Sequence, residues 1–201
     1  MENKKPFHTE IDTKHAKKPS PTSEWMAVRN DSVYITDGSI MADLANVPMH
    51  CLPMELQLVV ARLNEPNKGE RFTLRDGHKS ILDNLQAKQL FPVEGHVEAT
   101  PLNLYQHTKQ GRYQLLQKES GDIIMFNADF LASLLWLLGV GGKNPKEPIR
   151  FYTFNKTTVI AVTVGDGPIE ERRQGLIMPV DYYWQGKTSI NKALALLLDT
   201  N

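Results

Sequence analysis

Along this chain the spacing of apolar positions switches between strand-like and helix-like periods, and each switch predicts a new element. From Trp25, WMAV and SVYIT are short strand-type runs parted by the turn signal Arg29-Asn30-Asp31, which predicts a hairpin. SIMADLANVP alternates as a further strand and stops at Pro48. LPMELQLVVARLN then takes helical spacing, with Leu52, Leu56, Val59 and Leu63 four, three and four apart. Pro53 suits the first helical turn, and Glu65-Pro66-Asn67 with Gly69 ends the run. ERFTLRDGHKSILDN predicts two strands joined at Asp76-Gly77, a type I′ hairpin signal. AKQLFPVEGHVEATP reads as an extended connection.

The second half follows the same plan. YQLLQKESGDIIMF predicts a strand, a turn and a strand. NADFLASLLWLLG predicts a helix with Asn127 as N-cap, an apolar stripe of Phe130, Leu131, Leu134, Leu135 and Leu138, and a glycine stop at Gly139, Gly141 and Gly142. EPIRFYTF and TTVIAVTV predict a hairpin across Asn155-Lys156, and GLIMPVD a closing strand. Met178-Pro179 suits the end or edge of that strand, where the missing N–H breaks no ladder. Beyond it, KTSINKALALLLD has the pattern of an amphipathic helix with Ile190, Leu194, Leu197 and Leu198 on one face. Such a helix has four possible berths: a pocket by the closing strand, a partner, a second copy, or its own domain. Each half reads strand–helix–strand–strand–strand. The expectation is an α+β fold of two βαβββ units, about 26–92 and 93–185, with helices packed on antiparallel sheet. These units fill a domain over 23–185, followed by a C-terminal helix over 186–201.

Composition bounds what this domain does. The 201 residues suffice for one sizeable core, and 41% apolar with 23% charged residues is ordinary for a soluble protein. Basic and acidic side chains number 23 each, which counts against generic coating of a phosphate backbone. Residues 1–22 hold five lysines, three prolines and little to bury, and predict a flexible basic arm. A single cysteine, Cys51, excludes an internal disulfide and fits a reducing compartment. With neither an 18-residue apolar run nor the apolar core of a secretory signal, the cytoplasm is the expected location.

The constellations that could carry chemistry read as structure. His50-Cys51 pairs a nucleophile with a base, but sequence neighbours rarely face each other productively and no third partner is visible. GVGGK, residues 139–143, has Leu137 and Asn144 where a phosphate loop needs Gly and Ser or Thr, and reads as a helix end. The histidines at 8, 15, 50, 78, 96 and 107 lack ligand spacing. Of Asp37, Asp43, Asp76 and Asp83, three sit at or near turns, where Asp is locally favoured. Glu170-Glu171-Arg172-Arg173 reads as a solvated loop. No catalytic residue, metal or cofactor is therefore expected.

The order of elements resembles the DNA sliding clamp fold, in particular one domain of the bacterial replicative clamp (the DNA polymerase III beta subunit). The resemblance runs from about residue 26 to 181. It is carried by IIMFNADFLASLLWLL, EPIRFYTFNKTTVIAVTV and GLIMPV in the second half, and by SVYITDGSIMADLANVP, LPMELQLVVARLN and ERFTLRDGHKSIL with LFP in the first. Asn127 and Met178-Pro179 are its most pointed matches. What it implies is a non-enzymatic clamp-like binding protein associated with DNA replication, repair or its control. Docking of a protein partner from that machinery would occur at Leu176, Met178, Pro179 and Val180, since the family's Met-Pro strand helps form a peptide pocket. QAKQLFP, residues 86–92, is similar to the Gln-containing, Leu-Phe-ended peptides that bind such clamps, but its place in mid-domain rather than in a free tail favours a connector with Leu90 and Phe91 buried.

In the family the helices carry Lys and Arg to DNA. Here Arg62 is the only base of the first helix, the second has none and carries Asp129, and Lys143 and Lys146 follow it. Arg62, Lys143 and Lys146 are thus the candidate DNA contacts. An oligomeric DNA-encircling clamp needs six such domains and is the alternative, beside a phage or plasmid oligomer that has reused the fold and an enzyme with a dispersed site.

Overall fold

The dominant feature is one mixed-length antiparallel sheet with two helices on one of its faces. The structure is a computed structural model; it describes residues 16–18, 25–29, 32–63, 70–73, 79–81, 91–92, 97–108, 111–141, 146–153 and 159–179. The first half runs β1 (Met26–Arg29), β2 (Val33–Thr36), β3 (Ile40–Asp43), a 3-10 turn (Met49–Cys51), α1 (Met54–Leu63), β4 (Glu70–Thr73) and β5 (Lys79–Ile81). The second runs β6 (Glu98–Thr108), β7 (Gly111–Gln117), β8 (Ile123–Asn127), α2 (Ala128–Leu137), β9 (Ile149–Thr153), β10 (Ile160–Val164), a 3-10 turn (Ile169–Glu171) and β11 (Arg173–Ile177).

The strands form an eleven-stranded sheet in the order β5-β4-β1-β2-β3-β11-β10-β9-β6-β7-β8. Its connectivity repeats. In each half a three-strand meander leads into a helix, after which the chain returns to pair with the meander's first strand: β4 with β1, β9 with β6. β11 has no counterpart among the described residues of the first half. It joins the halves, pairing with β10 on one side and with β3 on the other.

The α+β class and the antiparallel pairing are as expected. The βαβββ summary is not: three strands precede each helix, the three that WMAV, SVYIT and SIMADLANVP mark in the first half and one more than the two marked in the second. The second-half discrepancy is β6: its start, Glu98 to Pro101, falls in the segment expected to be an extended connection, and Pro101 and the polar run NLYQHT give the strand no continuous apolar pattern. β6 pairs with β9 only through Glu98 and Ala99, then with β7 as far as Thr108, with a bulge between Leu102 and Tyr105. Pro101, which has no N–H to give, lies just beyond its last pair with β9. β3 also stops earlier than its alternation predicts. Asp43 accepts from the Ala45 amide at 2.9 Å, and this closes a turn.

The helices form where local signals place them. Asn127 Oδ1 accepts from the Asp129 amide at 2.8 Å, satisfying one of the free donors of the α2 N-terminus. At the other end Gly139, at φ +70°, donates to Trp136 O, and Val140 donates to Leu135 O. These are the paired bonds of a Schellman stop, whose left-handed residue favours glycine. Leu56 and Val60 of α1 and Leu131, Leu134, Leu135 and Leu137 of α2 share one core with the sheet residues Ile35, Ala42, Phe126, Phe151, Ile160 and Val162. Val59 and Leu63 have side chains outside the described residues.

α2 is buried nearly all round, more than a one-sided stripe predicts. Residues 16–18 supply the difference. Ala16 joins the main core, the Lys17 amide donates to Ser133 Oγ at 2.8 Å, and the Lys18 ammonium stands 5.5 Å over the Trp136 ring. The rest of the expected arm, the connector from 82 to 90, Asp76-Gly77 and the predicted 186–201 helix lie outside the described residues.

Candidate protein-docking face

Strand alternation sends the residues between the core positions to the opposite face of the sheet. The registers define a row there: Thr36 opposite Met41, Met41 opposite Leu176, Leu176 opposite Ala161, and Ala161 opposite Tyr152. Tyr34, Tyr152, Ala161 and Leu176 make a second buried cluster, flanked by Met41, Val159 and Ile169. Five neighbouring strands thus provide its floor. One described member comes from the connector between the halves: Phe91, 4% exposed, stacks on Tyr34 with ring centroids 5.9 Å apart and planes 12° from parallel. Pro92 beside it is buried too.

Polar contacts fix the rim. Arg172 donates through Nη1 to Tyr152 Oη at 3.0 Å, and through Nε and Nη2 to Gly167 O at 3.0 and 2.8 Å. Gln174 Nε2 donates to Ile169 O at 2.7 Å, and Asn46 Nδ2 reaches Glu170 O and Arg172 O. Together they hold the 3-10 turn of Ile169–Glu171 against the sheet. On the helix side, Arg173 is buried in β11 and donates to Leu138 O at 2.9 Å, with Glu147 as its ion-pair partner. The arginines of the Glu-Glu-Arg-Arg run are therefore structural struts. The solvated-loop expectation is met only by Glu170 and Glu171, which are exposed. Arg173's position in β11 and the reach of both arginines to backbone carbonyls decide this, and neither is visible in a run of four charges.

The four residues expected to dock a partner separate. Leu176 is part of the floor, at 5% exposed, whereas Met178, two residues further along, is 43% exposed. The Met178 amide still donates to Ser39 O at 2.9 Å, so its backbone is held to the β2–β3 turn. Pro179 is half-buried, and Val180 lies outside the described residues. Of the candidate DNA contacts, Lys146 is exposed; Lys143 and the side chain of Arg62 lie outside the described residues. The structure describes nothing that brings these three together.

Tyr34, Met41 and Tyr152 escaped sequence reasoning, because membership of one face depends on strand register across both halves. Phe91 was visible as half of an apolar pair, and its burial agrees with the connector reading; Leu90 lies outside the described residues.

The other sequence candidates resolve locally. Cys51 Cβ sits against Gly139, so close that a Cβ on the glycine would stand 2.7 Å from it, while His50 is exposed. Asp37 accepts from the Ser39 and Ile40 amides at 2.9 and 3.1 Å and from Lys17 Nζ at 3.2 Å. Asp43 accepts from Ser32 as well as from Ala45. Among the described residues no group of three His, Cys, Asp or Glu side chains gathers for a metal ion, and no helix is long and apolar enough to cross a membrane.

No protein-family profile, characterised protein or solved structure matches the chain.

Proposed function

We propose that this chain is a non-enzymatic, clamp-like binding protein that acts in DNA replication, repair or its control by docking a protein partner. The observation that supports the docking role is an exposed Met178 two residues along the chain from Leu176, which belongs to the apolar floor on the face away from the helices. Methionine is unbranched and polarisable, and suits surfaces that adapt to a partner. The clamp-like reading draws support from the repeated meander–helix–return connectivity and from the two helices sharing one face of an unbroken antiparallel sheet. α2 carries no cation and Asp129 lies in its first turn, which disfavours phosphate and favours protein as the partner.

The test compares the wild-type chain with Met178→Asp as bait. Wild type is expected to capture a replication or repair protein, the variant to lose it while keeping an unchanged far-UV spectrum and melting temperature. Capture of the same protein by both defeats the docking site. A native hexamer that shifts DNA in a gel without sequence preference would replace docking by the ring alternative.

A further inference from the structure

We propose that Phe91 is an internal plug: the connector's own aromatic ring fills the place that an aromatic side chain of a partner peptide takes, so that docking displaces it. The inference rests on the docking reading above and adds to it the partner's chemistry, a peptide presenting an aromatic residue, and a built-in competition.

The placement of Phe91 carries this. Its cluster is separate from the main core and lies on the opposite face of the sheet. Tyr34, Met41, Leu176, Ala161 and Tyr152 sit on five successive strands of one sheet, so the floor exists without Phe91. That floor is shaped for a flat ring, since Tyr34 offers its face to a near-parallel partner at 5.9 Å. Two residues after buried Leu176, and one past the end of β11, Met178 is 43% exposed, so apolar surface lies open close along the chain from the floor. Its rim, fixed by Arg172, Gln174 and Asn46, uses no atom of Phe91.

A site occupied by its own chain binds a ligand more weakly in proportion to the fraction of molecules in which it is open. The experiment therefore empties it. Full-length Phe91→Ala and wild type are titrated with a labelled peptide of residues 86–92, QAKQLFP, and with a control peptide in which its phenylalanine is alanine. The variant is expected to bind QAKQLFP at least about tenfold more tightly than wild type, as for a pocket open in one molecule in about ten or fewer. It should ignore the control, and its melting temperature should rise with added QAKQLFP. If Phe91→Ala does not fold, Phe91→Leu, which keeps apolar filling without the ring, takes its place; leucine still fills part of the site, so a smaller gain in the same direction is expected, and no gain overturns the plug.

Equal binding by variant and wild type, or equal binding of both peptides, overturns the plug. That outcome leaves the docking site standing wherever Met178→Asp has lost its partner. Conversely, tight QAKQLFP binding by Phe91→Ala combined with undiminished partner capture by Met178→Asp overturns the proposal that partner and plug share a site.

Discussion

Gly175 of β11 lies directly beneath Leu134 of α2: a Cβ on the glycine would stand 3.0 Å from Leu134 Cγ and 2.9 Å from its Cδ2. Leu134 is wholly buried and cannot swing aside, so the helix owes its close approach to the missing side chain. Gly175→Ala should cost about 1–3 kcal/mol through overpacking. For a chain of this size each 1 kcal/mol lowers the melting temperature by roughly 2–4 °C. A variant as stable as wild type would show that α2 has slack over β11.

Asn127 caps the same helix. Asn127→Ala should lose about 1 kcal/mol in urea denaturation, and Asn127→Asp, which keeps an acceptor for the Asp129 amide, should recover most of it.

Arg173 and Glu147 form an ion pair of unequal members, one buried and the other 53% exposed on its side chain. Arg173→Met leaves Leu138 O without its donor and should cost roughly 1–3 kcal/mol. Glu147→Gln removes a solvent-screened charge and should cost less than about 1 kcal/mol. A double-mutant cycle separates the two contributions.

On α1 the register fixes a contrast. Leu56 is fully buried and Leu58 is 59% exposed. Leu56→Ala should destabilise by about 2–5 kcal/mol, while Leu58→Lys should stay within about 0.5 kcal/mol. Comparable losses at both sites would place a partner surface over Leu58.

Removing residues 1–18 uncovers α2. The truncated chain loses the Lys17 amide bond to Ser133 and the Lys18 ammonium over Trp136, and Lys17 no longer stands 5.9 Å over Trp25. Its tryptophan emission should shift to the red and its melting temperature fall. Unchanged values would mean that these contacts contribute nothing to the fold.

The sequence by itself determined the local parts of this protein. The α2 helix, its Asn127 cap and Gly139 stop, the apolar strand runs of β2 and β10, and the class of the fold follow from spacing and backbone preference within a dozen residues. They are legible because the interactions that fix them join near neighbours. Only the tertiary structure decided that β3 takes β11 as its partner more than 130 positions on, that Arg173 points into the core, and that Phe91 lies on Tyr34. Those contacts join segments whose own patterns are compatible with many partners. Ladder register and the closing of long loops select among them, and neither leaves a mark in a short window of sequence.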